Sequence, residues 1–207
     1  MRPCCACPPA PTPRARPNRP TWPGLLVAVL VAAALAAGCA SRRPATDGLP
    51  ASMPSGLERT PDALPRVEPI REGGPNKPYT IEGRTYVPIT TDRPLRERGG
   101  ASWYGRKYHG NPTASGEPYD MFAMTAAHPT MPIPSFARVR NPANGREVIV
   151  RINDRGPFVP GRVIDLSYTA ALKLDVHRGV APVEVERLTF EQIRSGAWRR
   201  GGWMSGL

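Results

Sequence analysis

The stretch FARVRNPANGREVIVRI, residues 136–152, constrains the fold more than any other part of the chain. Apolar and polar residues alternate on both sides of its centre, and such alternation is typical of a strand with one buried face. The dipeptide Asn144-Gly145 separates the two alternating runs, and Asn-Gly favours the tight turn of a β-hairpin. The stretch therefore predicts two paired antiparallel strands.

Other short apolar runs predict further strands around this hairpin. ASWYG, RVIDL and APVEVERLTF each predict one strand, while MFAMTAAH fits a strand or a helix by its pattern. SYTAALKLDV predicts a short helix, because Ser167 can cap its N-terminus and Ala and Leu residues follow. Several short strands with one or two short helices predict a mainly β fold, a small β-barrel.

The composition predicts one domain with additional segments. The chain has 207 residues, of which 27 are Pro and 20 are Gly, so we expect much linker and loop. KPYTIEGRTYVPI predicts a small hairpin, since two strand-like runs flank the turn EGR. The predicted segments are a lipoprotein signal peptide over 1–39, a disordered Pro-rich linker over 40–76, a β-hairpin lead-in over 77–98, a barrel domain over 99–190 and a flexible tail over 191–207.

The N-terminus has the features of a secretory signal. Four arginines and no acidic residue precede the apolar run LLVAVLVAAALAA, which is too short to span a bilayer comfortably. The small residues directly before Cys39 resemble a bacterial lipobox, in which the Cys is lipidated, and a plain secretory signal with a chance Cys is the alternative. No Cys follows Cys39, and Ala40 stands where Asp would favour inner-membrane retention. We therefore expect lipidation at Cys39 and a stable anchor in the outer membrane, facing the periplasm.

Charge and cysteine usage narrow the expected partners. The formal net charge of +11 favours contact with an anionic polymer or a membrane surface. Nucleic acid is not expected, because the basic residues are scattered, no aromatic stacking motif accompanies them and the chain carries an export signal. We expect no metal, because Cys4, Cys5 and Cys7 lie in the segment to be removed and no other cluster has ligand spacing. No cofactor is predicted, and the oligomeric state stays open.

Polar residues concentrate in the loops and at the strand ends, where sites usually lie on a rigid strand scaffold. Asp154 in NDRGP fits a turn residue that pairs with Arg151 or Arg155. Asp165 inside the apolar run RVIDL needs a partner, for which Arg155 and Arg162 are the candidates, and it fits a structural ion pair. The whole set is His109, Thr113, Ser115, Glu117, Tyr119, Asp120, His128, Asn153, Asp154, Arg155 and Asp165.

Three motifs together resemble the rare lipoprotein A family. They are GGASWYGRKYHGNPTASGEPYDMFAMTAAHPTMP, VRNPANGREVIVRINDRGPF and RVIDLSYTAALKL, and they cover nearly all of residues 100–188 in order. The resemblance implies a six-stranded double-psi β-barrel and an outer-membrane lipoprotein that works on peptidoglycan. Some members are lytic transglycosylases that prefer glycan strands without stem peptides. Many carry a C-terminal sporulation-related repeat that targets the division site. This chain stops shortly after the barrel, so we expect the barrel itself to bind glycan.

The resemblance also implies functional residues. The acid of the NDRGP motif corresponds to Asp154, the His after MTAA to His128 and the acid of SGE to Glu117. By themselves, His128 fits a satisfied polar residue and Glu117 a solvated one. The expected substrate-binding residues, of which the tyrosines offer stacking faces to sugar rings, are Tyr104, Tyr119, Asn153 and Arg155.

The chemistry that the resemblance implies needs one carboxyl group. A lytic transglycosylase cleaves the bond between N-acetylmuramic acid and N-acetylglucosamine without water, because the muramic 6-hydroxyl attacks its own anomeric carbon and leaves a 1,6-anhydro end. We expect Asp154, with a pKa raised by burial, to give a proton to the leaving oxygen and accept one from the hydroxyl. His128 would orient the acid or stabilise charge, and Glu117 would contact the sugar or support His128. Arg155 opposes a raised pKa, so we expect it to point away, toward Asp165. The alternative is a non-catalytic peptidoglycan-binding lipoprotein on the same barrel.

Overall fold

The computed structural model describes residues 48–50 and 52–200, so the signal segment and Cys39 lie outside the described residues. The strands are β1 (Tyr79–Ile81), β2 (Arg84–Tyr86), β3 (Arg96–Trp103), β4 (Thr125–Ala127), β5 (Ser135–Arg140), β6 (Glu147–Asp154), β7 (Arg162–Leu166) and β8 (Ala181–Arg187). The helices are α1 (Tyr168–Leu174) and α2 (Phe190–Arg194). No helix among the described residues is long and apolar enough to cross a membrane.

Strands β3 to β8 close a barrel in the order β3-β7-β4-β6-β5-β8. Strand β3 pairs with β7 and strand β4 with β6 in parallel, whereas the other neighbours run antiparallel. The predicted mainly β fold, a six-stranded barrel with two short helices, is confirmed. Strands β1 and β2 form a separate antiparallel hairpin, with Glu82 and Gly83 at positive φ in its turn.

The hairpin predicted over 136–152 forms β5 and β6. Gly145 has a φ of 72°, a left-handed conformation that glycine adopts without strain, and the chain reverses there. Val139 and Val148 face each other in the register, and both are buried in the core. Because burying one such side chain stabilises the fold by about 1.5–3 kcal/mol, a whole apolar face fixes the pairing register.

Strands β3 and β7 approach each other closely at Gly99 and Val163. A Cβ atom placed on Gly99 would lie 2.5 Å from a side-chain carbon of Val163, so any other residue there would push β7 away. The parallel register then sets Ser102 of β3 opposite Asp165 of β7. The predicted strand RVIDL therefore delivers its acid to a position beside β3.

Residues 52–76, here called the strap, differ from the disordered linker expected over 40–76. Leu57 is only 7% exposed and packs in an apolar cluster beside α1. Asp62 and Ala63 bind opposite sides of one β6 residue, because Asp62 Oδ2 accepts from the Ile149 N–H and Ala63 N donates to the Ile149 carbonyl, each at 3.0 Å. A Pro-rich segment has no helical or strand periodicity. Its packing on the barrel through individual contacts therefore could not be predicted from the sequence pattern.

The flexible tail expected over 191–207 is also partly folded. Helix α2 begins with a capping box, in which Thr189 Oγ1 accepts from Gln192 N and Gln192 Oε1 accepts from Thr189 N. Trp198 then packs on the cluster of Phe136 and Leu188, and its carbonyl accepts a hydrogen bond from Arg138. Residues 190–194 and 197–199 are thus helical where a flexible tail was expected, and the Thr-x-x-Gln pattern was the signal for the first of these helices.

Candidate active site

A cavity of about 290 Å³ opens between the end of β3, the end of β6 and strand β7. Its lining includes two carboxyl groups, those of Asp154 and Asp165, and no other acidic side chain. The remaining walls are Tyr104, Tyr108, Ala127, Arg155, Gly156, Pro157, Phe158, Val159 and Arg162. Of the residues predicted for catalysis, only Asp154 lines this cavity.

Asp154 is the last residue of β6, and a bulge at Asn153 of the same strand places Ala127 of β4 opposite it. Its Oδ1 accepts hydrogen bonds from the backbone N–H groups of Ala114 at 2.9 Å and Arg155 at 2.8 Å. Within the described residues, Oδ2 accepts no hydrogen bond and no cationic side chain pairs with the carboxylate. Burial raises the pKa of Asp154, although the two N–H groups and the Arg155 charge oppose the rise. The carboxyl is thus held by one oxygen and keeps a proton more readily than an ordinary Asp.

Arg155 does not pair with Asp165, which corrects the expected orientation. Its guanidinium donates to backbone oxygens at 2.6–3.0 Å and to Asn76 Oδ1 at 2.8 Å. The backbone oxygens belong to Pro75, His128 and Met131. Burial lowers the pKa of Arg155 to about 10. Arg155 points away from Asp154 as expected, but its partners come from the strap and the loop after β4, and no sequence pattern indicated them.

Asp165 pairs with Arg162, whose Nη2 donates to Oδ2 at 2.8 Å, and Ser102 Oγ donates to Oδ1 at 2.6 Å. Burial raises the pKa of Asp165, while Ser102 and Arg162 oppose the rise. The structural pair considered from the sequence is therefore present with Arg162. Its position in the cavity was not predicted, although an acid within an apolar strand was a signal for it.

Glu117 lies outside the cavity lining and belongs to a charge network with the strap. Its Oε2 accepts from Arg151 Nη1 at 2.6 Å and from Asn153 Nδ2 at 3.2 Å, and Arg151 also binds both carboxylate oxygens of Glu68. Burial raises the pKa of Glu117, but the hydrogen bonds from Arg151 and Asn153 outweigh it and lower the pKa. Asn153 is buried beside Glu117 and does not line the cavity.

The His128 side chain is fully buried behind the cavity. Its Nδ1 accepts from the N–H groups of Thr130 and Met131 at 3.1 and 2.9 Å, so the hydrogen of the neutral ring lies on Nε2, 3.3 Å from Glu97 Oε2. Burial lowers the pKa of His128. Its contact with Asp154 runs through the backbone, because the His128 N–H donates to the Asp154 carbonyl at 3.1 Å. The imidazole supports the loop after β4 and does not line the cavity.

Of the two tyrosines predicted to stack on sugar, only Tyr104 lines the cavity. Tyr119 is 2% exposed, stacks on Tyr104 with ring centroids 3.8 Å apart, and donates its hydroxyl to the Tyr104 carbonyl. Burial and the nearby Asp154 charge raise the pKa of Tyr104. The Tyr104 hydroxyl is buried, and no hydrogen bond of ordinary geometry joins it to another described residue. Tyr119 thus supports Tyr104 from behind, and Tyr108 adds a second, exposed ring to the lining.

Among residues 48–50 and 52–200, no group of three His, Cys, Asp or Glu side chains is arranged to hold a metal ion.

The barrel sequence matches a family model described as lytic transglycolase over residues 96–185. Together with the closed six-stranded topology and its two parallel strand pairs, this match defines a double-psi β-barrel domain. The barrel of this chain is, more narrowly, an RlpA-like double-psi β-barrel.

Three relatives, each named endolytic peptidoglycan transglycosylase RlpA, carry that conclusion. The chain is 47% identical over 160 residues to the Vibrio cholerae protein, across 75% of this chain and 60% of the relative. It is 51% identical over 145 residues to the Pseudomonas aeruginosa protein, across 70% and 42%. It is 48% identical over 128 residues to the Neisseria meningitidis protein, across 61% and 53%. The chain thus spans 60% or less of each of these relatives.

Among solved structures, the Streptomyces papain inhibitor resembles the chain with a TM-score of 0.36 and 25% identity, across 45% of this chain and 94% of the inhibitor. That partial likeness carries no argument about function.

Proposed function

We propose that this protein is a lytic transglycosylase that cleaves the bond between N-acetylmuramic acid and N-acetylglucosamine in peptidoglycan and leaves 1,6-anhydro-muramic ends. One observation carries the proposal: Asp154 lies in an open cavity with a raised pKa, and the described residues donate hydrogen bonds to only one of its two oxygens. The names of the relatives support peptidoglycan as the substrate.

Asp154 acts as the acid and then as the base. Protonated on the free Oδ2, it gives its proton to the glycosidic oxygen as the bond to the muramic anomeric carbon breaks. The muramic 6-hydroxyl attacks that carbon, and the ionised Asp154 accepts the hydroxyl proton. The substrate supplies its own nucleophile, so no covalent enzyme intermediate forms, unlike in a retaining glycosidase. Asp154 ends the reaction protonated and ready for the next cycle.

Asp165 serves as the negative charge in the same cavity. Both of its oxygens accept hydrogen bonds, from Ser102 and Arg162, and these bonds suit the ionised form. Burial raises the pKa of both carboxyl groups, but Asp154 has no cationic partner among the described residues, so it keeps a proton more readily than Asp165. The proton therefore resides on Asp154, while Asp165 stabilises the positive charge that develops at the anomeric carbon.

Glu117 and His128 act as positioning residues. Glu117 fixes Asn153 next to the acid, and the backbone of His128 binds both the Asp154 carbonyl and the Arg155 guanidinium. Tyr104 offers its ring to the sugar. Arg155, with its guanidinium engaged by four protein acceptors, shapes the cavity wall.

The remaining parts of the proposal concern the form of the glycan substrate and the cellular location of the protein. We infer a preference for peptide-poor glycan strands, and an envelope location with a lipid anchor at Cys39 in the outer membrane. The lipid anchor is tested by metabolic labelling with a palmitate analogue and membrane fractionation. Label should enter the wild-type protein and be absent from Cys39→Ser, and label in both would overturn the anchor.

The activity is tested by incubating the purified chain with peptide-free glycan strands and identifying the products by mass spectrometry. The wild type should release anhydro-muramic ends, and Asp154→Asn should lower the rate by about 10²–10⁴-fold, the usual contribution of a general acid. Asp175→Asn is the matched control, because Asp175 is exposed at the end of α1 with a φ of 60°, a conformation that Asn tolerates.

Two outcomes would contradict the proposal. Undiminished products from Asp154→Asn would remove Asp154 from the mechanism. Tight glycan binding by the wild type without soluble products would identify the alternative, a non-catalytic peptidoglycan-binding protein on the same barrel.

A further inference from the structure

A second cavity, of about 260 Å³, adjoins the one that holds the two carboxyl groups. The two cavities share Phe158 and Arg162, together with Pro157 and Val159 of the same loop. A polymer chain that lies in the first cavity can therefore continue along this loop into the second. The second cavity has no role in the proton transfers described above.

The charged side chains that line the second cavity are all positive. Its lining includes three arginines, Arg84, Arg98 and Arg162, and no acidic side chain. Arg162 is paired with Asp165, and the largely exposed Arg98 is paired with Glu184 at 2.8 Å. Arg84 is exposed, and its guanidinium lies 5.2 Å from the centre of the Tyr86 ring. Among the described residues no carboxylate pairs with Arg84, so its charge is the one most available to a ligand.

Aromatic rings form a fixed wall beside these arginines. The Tyr86 ring is buried and meets Phe158 edge to face, with centroids 5.4 Å apart. Tyr79 stacks on Tyr86 at 5.3 Å and donates its hydroxyl to the Pro129 carbonyl at 2.8 Å. The hairpin of β1 and β2 is thereby fastened to the loops around the first cavity. Arg84 therefore lies at the second cavity on a strand that is packed against the rest of the protein.

We propose that the second cavity binds the free carboxylate on the lactyl group of a peptide-free muramic acid. This inference rests on the proposed function, because it assumes that the neighbouring cavity holds a peptidoglycan strand. In such a strand the lactyl carboxyl is a free anion once the stem peptide has been removed, and it is an amide while the peptide is attached. A guanidinium binds a carboxylate through charge-assisted hydrogen bonds, whereas the neutral amide offers neither the charge nor the second acceptor oxygen.

The proposal gives a physical basis for selecting peptide-free strands. The selection comes from one attractive contact that only the free acid can make, in addition to any steric exclusion of the peptide. Arg84 and Tyr86 lie before residue 96, so this contact comes from the lead-in hairpin and not from the segment that the family model covers.

The test compares three soluble muramic-containing oligosaccharides of equal length: one with free lactyl carboxylates, one with those carboxylates converted to methylamides, and one with stem peptides. Binding is measured by calorimetry and cleavage by mass spectrometry. The methylamide separates charge from bulk, and the peptide-bearing oligosaccharide tests whether peptide carboxylates can substitute. The wild type should bind the free acid about fivefold or more tightly than the methylamide, as expected for a partly exposed charge contact.

The variants assign that difference to Arg84. Arg84→Gln should abolish the preference for the free acid and raise KM with little change in kcat, while Arg84→Lys should retain part of the preference. Arg146→Gln is the charge-matched control, because Arg146 is exposed in the turn between β5 and β6 and lines neither cavity.

Equal affinity of the wild type for free acid and methylamide, or an unchanged preference in Arg84→Gln, would overturn this inference while leaving the proposed activity intact. Selective binding of the free acid without any cleavage would instead sustain the carboxylate site and contradict the proposed activity. Failure to bind any of the three oligosaccharides would overturn both.

Discussion

The backbone N–H of Arg155 donates a hydrogen bond of 2.8 Å to Oδ1 of Asp154, while the guanidinium of the same residue turns to four other acceptors. The guanidinium of Arg155, the residue next to Asp154 in the sequence, thereby links the strap to the loop after β4. Asp154 is left without a cationic partner among the described residues, and burial raises its pKa despite the neighbouring arginine. The acid and the arginine thus have separate tasks.

Asp154→Asn should raise the melting temperature near neutral pH. Because burial raises the folded-state pKa of Asp154, its contribution to stability is fully present below the unfolded pKa and is lost as pH rises through the folded pKa. Asn never ionises, and its Oδ1 can still accept both backbone N–H bonds. We expect a Tm gain of roughly 2–4 °C near neutral pH, the shift that ~1 kcal/mol produces in a domain of this size.

The gain should vanish at about pH 3.5, below the ordinary pKa of aspartate. Thermal unfolding of both proteins across this pH range measures it. If Asp154→Asn lowers the melting temperature equally at neutral pH and at pH 3.5, burial does not disfavour the ionised carboxylate of Asp154.

Asp165→Asn should lower kcat by about 10²-fold with little change in KM, because a charge that acts on the transition state does not alter ground-state binding. Steady-state cleavage of peptide-free strands measures both constants. Ser102→Ala should have a smaller effect, since it removes one hydrogen bond to Oδ1 and leaves the Arg162 pair in place. A lower Tm with unchanged kcat in Asp165→Asn would limit Asp165 to the structural ion pair.

His128→Asn should change stability more than chemistry. The Asn Oδ1 can replace Nδ1 as acceptor for the N–H groups of Thr130 and Met131, but it cannot reach Glu97. We expect a loss of about 1–3 kcal/mol in the free energy of unfolding and an unchanged pH–rate profile per folded molecule. His128→Ala should lose more, because both acceptor bonds disappear. A folded His128→Asn protein with an altered pH profile would bring the imidazole into the reaction.

Leu57→Ala should destabilise the barrel by about 2–3 kcal/mol, since Leu57 is 7% exposed and packs beside α1. Leu64→Ala is the matched control in the same strap, because Leu64 is 68% exposed and its truncation should change stability by less than about 0.5 kcal/mol. Denaturant unfolding of both variants measures the difference. Equal, small effects would mean that the strap does not dock on the barrel in solution.

The sequence predicted those parts of the fold that depend on local chemistry. Alternation and Asn144-Gly145 predicted the β5–β6 hairpin, and Ser167 predicted the start of α1, whose cap accepts from Ala170 N. Hydrophobic periodicity and turn residues depend on residues that are close together in the sequence, so both can be recognised without a structure. The strand pattern also predicted a small barrel, and the family motifs then added its double-psi topology and pointed to Asp154.

The strap and the second carboxylate escaped prediction for a physical reason. Pro-rich sequence has no repeating apolar face, so the docking of residues 52–76 through single contacts leaves no periodic pattern. Asp165 looked like a structural acid, and it pairs with Arg162 three residues before it. Only the parallel pairing of β3 with β7 and of β4 with β6 brings it into the same cavity as Asp154.

The strand pattern and the family motifs are sufficient to predict that an acid ends strand β6 and that a barrel carries it. The residues that surround this acid are known only from the folded structure. Arg155 contacts Pro75 and Asn76 about 80 positions earlier in the chain, and Tyr119 lies buried against Tyr104 and does not line the cavity. The contacts of Arg155 and Tyr119 depend on which segments come together when the barrel forms. The raised pKa of Asp154 follows from those contacts, because burial and the lack of a counter-ion among the described residues are properties of the folded environment.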